Sequence, residues 1–197
     1  KKIVKGGDGS ALLENPTLAS KCITAVKDAI GTKPLSVKFR LGVDDDKHAV
    51  DFTKMCADSG ADFVTVHFRT RKQMYAGHAD YTLLPQIANC GVPVFANGDV
   101  VSREQYLHLL DNGAFGVAVG RGALGRPQIF AEIANNPYQI NIPQTIRSHA
   151  QSLLLHLPEK IVANELKKHV CFYLKGKRST KNTIVAVNLA KSTEQIL

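Results

Sequence analysis

A glycine-rich turn with two arginines follows a short apolar run in the second half of the chain. It covers residues 117–127, Val-Ala-Val-Gly-Arg-Gly-Ala-Leu-Gly-Arg-Pro, and its proline is placed to start a helix. Glycines let the backbone approach a ligand closely, and free N–H groups at a helix start favour an anion. The guanidinium group of Arg121 matches the geometry of a phosphate. Gly120 and Arg121 are therefore candidate phosphate ligands, and a simple turn that closes a strand is the alternative.

Three earlier apolar runs also end in polar residues. They cover residues 35–40, 63–69 and 92–99, and they are rich in Val and Phe, which is typical of strands buried in a parallel sheet. Because parallel strands end at one edge of their sheet, we expect the polar residues to meet there. The polar and glycine residues in these runs include Lys38, His67, Arg69, Asn97, Gly98 and Asp99. Asp99 as a helix cap, and His67 as an ordinary interior histidine, are the structural alternatives.

Helical stretches are predicted between these runs, over residues 46–59 and 102–112. Residues 59–66 also repeat the pattern of residues 112–119, in which a helix ends at glycine and a strand follows at once. Alternating strands and helices predict an α/β protein. Polar strand ends favour a (β/α)8 barrel over an open dinucleotide-binding sheet, since no G-x-G-x-x-G follows the first strand.

Composition excludes several classes of protein. The chain has 197 residues, a net charge of +8 and no apolar run long enough to span a membrane, and its first residues lack the apolar core of a signal peptide. The four cysteines form no C-x-x-C pair. We therefore expect a cytoplasmic protein with reduced thiols and no metal site.

The charge is concentrated in the last third of the chain. Residues 138–197 carry nine Lys or Arg and three Glu, a net +6, whereas residues 1–137 carry sixteen basic and fourteen acidic residues, a net +2. From residue 144 the chain reads as helical, with helices predicted at 160–175 and from about 181 to the end, and with Leu153, Leu154, Leu157 and Ile161 as an apolar stripe. A basic helical domain favours a polyanionic partner, and a merely soluble face is the alternative. Six residues favour such a partner and are candidates for binding a phosphate backbone: Lys167, Lys168, His169, Lys175, Lys177 and Arg178.

Taken in order, these segments resemble the flavin-dependent tRNA-dihydrouridine synthases. The resemblance covers most of residues 1–178 and is carried by residues 9–13 (GSALL), 37–42 (VKFRLG), 66–71 (VHFRTR), 95–100 (FANGDV), 120–127 (GRGALGRP) and 167–176 (KKHVCFYLKG). It implies a TIM barrel that binds FMN at its carboxyl face, followed by a helical domain that binds tRNA. Members of the family reduce the C5=C6 bond of uridine in tRNA and use NADPH to reload the flavin.

The resemblance also implies roles for individual residues. Lys38 would lie beside the flavin ring and His67 near the ring or the ribityl chain, while the role of Arg69 is not assigned. Asn97, Gly98 and Asp99 would lie at the ribityl and phosphate end. Gly120 and Arg121 would close round the phosphate.

The family's Gly-Cys-Pro segment, which carries the general-acid cysteine, would fall before residue 1. We therefore expect four β/α units, the C-terminal half of a (β/α)8 barrel over residues 1–137, followed by a small all-α domain over residues 138–197. The isolated chain is expected to lack uridine reductase activity. Its open barrel edges are expected to promote self-association.

Two other functions fit the residues. The first is another FMN-dependent TIM-barrel oxidoreductase that acts on a small molecule, which the basic tail disfavours because such an enzyme has no need of one. The second is a non-catalytic RNA-binding fragment, in which the helical domain binds and the half barrel is scaffold.

Overall fold

A computed structural model describes residues 6–197. The chain forms two compact units, Lys1–Gly120 and Arg121–Leu197. The division falls earlier than residue 137, where the strand and helix pattern ends in the sequence. The glycine-rich turn belongs with the helices of the second unit because Gly125 packs against the backbone of Phe172, as described below.

A four-stranded parallel sheet forms the first unit. Its strands are β1 (Ser36–Arg40), β2 (Phe63–His67), β3 (Val94–Asn97) and β4 (Gly116–Ala118), and they pair in chain order. Each crossover between neighbouring parallel strands contains a helix, as a βαβ unit requires. The α/β class and the four strands predicted from the sequence are confirmed. Strands in chain order are consistent with part of a barrel.

Four α-helices accompany the sheet: α1 (Pro16–Ile30), α2 (Ala49–Asp58), α3 (Leu84–Ala88) and α4 (Arg103–Asp111), with a 3-10 helix at Gly9–Glu14. The Ser102 hydroxyl accepts a hydrogen bond from the Gln105 N–H at 3.2 Å and caps α4, as the sequence indicates. Helix α2 begins three residues later than predicted. The chain first turns sharply at Gly42, where a Cβ atom would lie 1.8 Å from the Asp45 carbonyl oxygen.

The repeated pattern in the sequence corresponds to one repeated helix ending. Gly60 and Gly113 both have φ +97°, a conformation that strongly favours glycine. After Gly60, the Ala61 N–H donates to the Cys56 carbonyl at 3.1 Å, and Ala114 repeats this bond to Leu109 at 3.0 Å. In both places a strand begins three residues after the glycine, so the same local motif precedes β2 and β4.

The second unit contains a 3-10 helix at Arg121–Ala123 and the helices α5 (Ile129–Ile133), α6 (Ile142–Leu154), α7 (Glu159–Leu174), α8 (Lys181–Leu189) and α9 (Thr193–Ile196). Its core is a cluster of buried side chains from α6, α7 and α8: Ile146, Ala150, Leu166, Val170, Tyr173 and Val187. The predicted helix over 160–175 agrees with α7, and Gly176 follows it at φ +76°. None of the helices among the described residues is long and apolar enough to span a membrane.

Two expectations for this unit are wrong. The helix predicted from about 181 to the end is two helices, separated at residues 190–192, where the Ser192 hydroxyl caps α9. The predicted apolar stripe is not the core, because Leu154 is 43% exposed, Leu157 is 37% exposed and Ile161 is 47% exposed. The chain breaks at Pro158, so residues on either side of it do not continue one helical face.

Candidate functional site

The carboxyl ends of the four strands bring two candidate residues, His67 and Asn97, into register with Arg40. Arg40 pairs with His67, His67 pairs with Asn97, and Asn97 pairs with Ala118. Side chains alternate along a strand, so residues in register share one face of the sheet. The row therefore presents a guanidinium, an imidazole and an amide on adjacent strands, as the sequence predicts for the last two.

Lys38 lies on the same face as Arg40, two residues earlier on β1. Between them, Phe39 is buried and its ring packs 5.0 Å from that of Phe52 on α2, so Lys38 and Arg40 face away from that helix. Partial burial, together with the Arg40 charge, lowers the pKa of the Lys38 ammonium. The opposite face carries the apolar core: Val64, Val66, Val94 and Ala96 are each at most 1% exposed.

His67 is buried at the centre of this edge, only 7% exposed. Burial is the main cause that lowers its pKa to about 4, and the positive charges of Arg40, Lys38 and Arg69 add to the effect. The imidazole is therefore neutral at pH 7. In that state one ring nitrogen donates and the other accepts a hydrogen bond.

Arg69 is almost fully buried, 1% exposed, just beyond the end of β2. Its guanidinium donates to the carbonyl oxygens of Ala76 at 3.3 Å and Gly77 at 2.8 Å, and it forms an ion pair with Asp99. The Arg69 Nη1 atom is buried and has no hydrogen-bond partner among the described residues. Most of the side chain thus holds the loop that follows β2.

The Asn-Gly-Asp turn after β3 is tightly constrained. The Asn97 amide donates to the Ala118 carbonyl at 2.6 Å, and the Asp99 carboxylate accepts from the Ala79 N–H at 2.9 Å. Gly98 has φ +130°, and a Cβ there would lie 2.8 Å from the Ala79 Cβ, so only glycine fits. Asp99 itself has φ +50°, and its carboxylate bonds within the site while Ser102 caps α4.

Gly120 and Arg121 belong to different units. A Cβ on Gly120 would meet nothing within 4 Å, so packing does not require glycine there. Arg121 begins the 3-10 helix of the second unit. Gly125, farther along the same turn, has φ +72°, and a Cβ there would lie 2.2 Å from the Phe172 carbonyl oxygen. The glycine-rich segment therefore has a packing role on α7 that sequence reasoning missed.

The candidate RNA-binding residues fall into two groups in the second unit. Lys167 donates to the Asn188 carbonyl at 3.3 Å, and Lys168 pairs with Glu165 at 2.7 Å. The ring of His169 lies 4.7 Å from that of His149 on α6. The remaining cations lie just after the end of α7 and are exposed: Lys175, Lys177 and Arg178. Tyr173, in the last turn of α7, is 8% exposed and belongs to the core.

Of the four cysteines, Cys22 lies on α1, Cys56 on α2, Cys90 just after α3 and Cys171 on α7, so none lies on a strand of the sheet. Burial raises the pKa of the Cys56 thiol to about 12, and the pKa of Cys90 is raised as well. Within residues 6–197, no three His, Cys, Asp or Glu side chains cluster as metal ligands would.

Arg40 lies in this register row, although it is not among the site residues predicted from the sequence. Its Nη1 donates to the carbonyl oxygens of Thr70 at 3.1 Å and Met74 at 2.8 Å. Its guanidinium carbon also lies 5.5 Å from the centre of the Tyr75 ring. The only signal in the sequence was its position two residues after Lys38.

The chain is thus an α/β protein with cationic and amide side chains along the carboxyl edge of a parallel sheet, which is where ligands bind in many proteins of this class. The family model described as dihydrouridine synthase matches residues 1–197, and the chain belongs to that family.

Curated relatives agree with this assignment. The chain is 31% identical over 210 residues to a protein named probable tRNA-dihydrouridine synthase from Mycobacterium leprae, covering 99% of this chain and 55% of the relative. It is 33% identical to a protein of the same name from Rickettsia conorii, covering 96% of this chain and 60% of the relative. It is 31% identical to tRNA-dihydrouridine synthase B of Xanthomonas axonopodis pv. citri, covering 98% and 62%. The chain thus spans little more than half the length of these relatives.

Proposed function

We propose that this chain is the part of a tRNA-dihydrouridine synthase that carries one side of an FMN site and a tRNA-binding surface. The parent enzyme reduces the C5=C6 bond of uridine in tRNA, with NADPH as the reductant. The observation that carries the proposal is the register row at the carboxyl edge, which places His67 and Asn97 on adjacent strands with Lys38 on the same face.

The residues of this edge fit an anionic cofactor such as FMN. Lys38 and Arg40 bring two positive charges to one face of the sheet, and the buried Arg69 Nη1 has a hydrogen-bond donor without a partner among the described residues. Gly120 leaves open space at the next strand end. In this proposal the first unit holds the cofactor through Lys38, His67, Asn97, Gly98 and Gly120, while Arg69 and Asp99 hold the loops around it.

FMN, when bound in its reduced form, supplies the hydride that reaches C6 of the uracil. Lys38 contributes a cation beside the site, and partial burial, with a smaller effect of the Arg40 charge, lowers the pKa of its ammonium. His67 remains neutral, so it orients a partner through hydrogen bonds without adding a charge. Asn97 is held by its bond to Ala118, which fixes the amide at one orientation.

Protonation of C5 needs an acid that this edge does not provide. Cys56 is fully buried on α2, the helix that packs on the opposite face of the sheet, so its thiol cannot reach a ligand at this edge. Cys22 lies exposed on α1. We therefore propose that the general-acid cysteine belongs to another part of the parent enzyme, and that the isolated chain does not turn over.

The second unit is the proposed tRNA surface. A uridine must leave its stack to reach a buried flavin, so binding of the surrounding tRNA backbone has to supply that cost. The exposed cations Lys175, Lys177 and Arg178 lie together at the end of α7 and supply a local positive charge.

An absorbance spectrum tests the cofactor assignment. The purified chain is mixed with FMN, desalted and scanned, with its circular dichroism recorded to show that it is folded. Flavin bands that stay with the protein support the proposed site. A folded but colourless protein would contradict the claim that these residues hold FMN in this chain.

A non-catalytic RNA-binding role is the second candidate, because the exposed cations of the second unit do not depend on the sheet. The two functions separate when tRNA binding is measured with and without FMN. Salt-sensitive tRNA binding by a colourless protein favours the second candidate over the first.

A further inference from the structure

Arg40 connects β1 to the loop that follows β2. It is the last residue of its strand and pairs in register with His67. Its Nη1 reaches across to the Thr70 and Met74 carbonyl oxygens, and its guanidinium lies over the Tyr75 ring. One side chain from a neighbouring strand thus contacts three residues of the loop.

The two ends of this loop are held by other groups. At its start, the N–H groups of Arg71 and Lys72 donate to the carbonyl oxygens of Gly42 at 2.8 Å and Val43 at 2.9 Å. At its far end, Arg69 binds the carbonyl oxygens of Ala76 and Gly77. Residues 73–75 lie between these two anchors.

The middle of the loop has a conformation that needs support. Met74 has φ +51°, which costs a residue with a side chain about 1 kcal/mol. Met74 is 60% exposed and Tyr75 is 57% exposed, so burial of these side chains contributes little to holding them. The bond from Arg40 to the Met74 carbonyl supplies a fixed contact from outside the loop at the strained residue itself.

The loop also completes the surroundings of His67. The ring of Tyr75 lies 6.3 Å from the imidazole, with 39° between their planes. The charged groups that face His67 are Arg40 and Lys38 from β1, Arg69 from the end of β2 and Asp99 from the turn after β3. Arg40 therefore holds the loop that lies beside His67 and also contributes positive charge near its imidazole.

We propose that Arg40 is a positioning residue of this site: it fixes residues 73–75 over the carboxyl edge and keeps the Tyr75 ring beside His67. Its positive charge also favours the neutral imidazole. A role of this loop in uridine reduction rests on the proposed function. The positioning of residues 73–75 by Arg40 does not depend on that function.

Two variants separate the hydrogen bonds from the charge. Arg40→Lys keeps the charge, but an ammonium does not reproduce the planar guanidinium that bridges two carbonyls and covers the Tyr75 ring. Arg40→Met removes both. Lys33→Met, which removes an exposed cation just before the opposite end of β1, is the matched control.

Hydrogen exchange and histidine NMR give the readouts. In both Arg40 variants we expect the amides of residues 73–76 to exchange about tenfold faster, since a hydrogen bond from a charged donor is worth about 1.5 kcal/mol. We expect the pKa of His67 to rise by about 1 in Arg40→Met and to stay low in Arg40→Lys. Lys33→Met is expected to change neither.

Three results would overturn the proposal. Unchanged exchange at residues 73–76 in both variants would mean that the loop holds itself. Faster exchange at Val64 and Val66 as well would mean that Arg40 stabilises the whole sheet. An equal rise of the His67 pKa in both variants would mean that the positive charge of Arg40 does not lower that pKa. Because neither measurement contains flavin, a failure of FMN binding contradicts the proposed function alone.

Discussion

The guanidinium of Arg69 and the carboxylate of Asp99 form an ion pair that joins the loop after β2 to the turn after β3. Arg69 is 1% exposed, while the Asp99 side chain retains 28% exposure. Asp99 has a left-handed backbone, φ +50°, and its carboxylate also receives the Ala79 N–H. This pair therefore fixes the relative position of two strand ends at the proposed cofactor site.

Removing Asp99 from this pair is expected to be costly. Asp99→Ala leaves a buried guanidinium without its counter-charge, and breaking such a pair from one side lowers the free energy of unfolding by about 3 kcal/mol. Denaturant unfolding measures the change. Asp58→Ala is the matched control, because its pair with Lys54 is exposed on α2 and is worth less than about 0.5 kcal/mol. Equal losses in the two variants would show that the buried pair has no special role.

The folded protein is expected to lose stability as the pH falls from 6.5 to 4 on account of His67. Its pKa is lowered to about 4 in the folded state, so the unfolded chain binds the proton first and gains from acidification. The stability is fully present above pH 6.5 and declines through this window. His67→Phe should flatten the dependence measured between pH 4.5 and 7, and a dependence as steep as that of the wild type would contradict this expectation.

Gly125 should tolerate substitution much less than Gly31. Both have positive φ, +72° and +61°, so an added Cβ costs each about 1 kcal/mol. At Gly31 the Cβ meets nothing within 4 Å, but at Gly125 it would overlap the Phe172 carbonyl. Gly125→Ala is thus expected to lower the free energy of unfolding by about 3 kcal/mol and Gly31→Ala by about 1 kcal/mol. Similar losses would contradict the close approach of the turn to α7.

The cations at the end of α7 are expected to dominate tRNA binding. Charge reversal at Lys175, Lys177 and Arg178 should reduce the slope of log K against log salt by about 3, provided each contacts a phosphate. Reversal of Lys168 should have a smaller effect, since that side chain pairs with Glu165. Reversal of Arg147, Lys160 and Lys191, three exposed cations elsewhere in the unit, is the control for net charge. An equal loss in the control would mean that only total charge matters.

Self-association of the isolated chain is a further prediction. Within residues 6–197, β1 and β4 are the two edges of the sheet, and the outer sides of edge strands carry backbone groups that can pair with another chain. Phe115, next to β4, is 68% exposed and packs on Phe95 at 5.5 Å. Sedimentation should show dimers or larger species at micromolar concentration. A well-folded monomer over that range would contradict the prediction.

Much of the first unit is predictable because its signals are local. The four strands are predictable from apolar runs that end in polar residues. Two helix ends are predictable from Gly60 and Gly113, because glycine readily adopts the positive φ found there. The register of parallel strands then follows, and with it the meeting of His67 and Asn97.

The remaining features depend on contacts between distant segments. The carbonyl partners of Arg40 are 30 and 34 residues away in the sequence. The residues around Arg40 on β1 therefore do not indicate that its side chain holds the loop after β2. Gly125 looked like a ligand-binding glycine, yet its neighbour is the backbone of Phe172. The apolar residues around Pro158 have the spacing of a buried stripe along one helix. Because the chain forms two helices there, Leu154 and Ile161 are exposed.

The most direct test of the central claim is an FMN titration followed by flavin fluorescence. The wild-type chain is compared with Lys38→Met and Gly120→Ala, with Lys33→Met as the control. A Cβ at Gly120 meets no protein atom, so this variant is expected to fold normally. We expect the wild type and Lys33→Met to bind FMN. We expect Lys38→Met and Gly120→Ala to bind it at least about tenfold more weakly, which corresponds to about 1.4 kcal/mol of binding free energy. Equal FMN affinity in all four proteins, or no binding by a folded wild type, would contradict it.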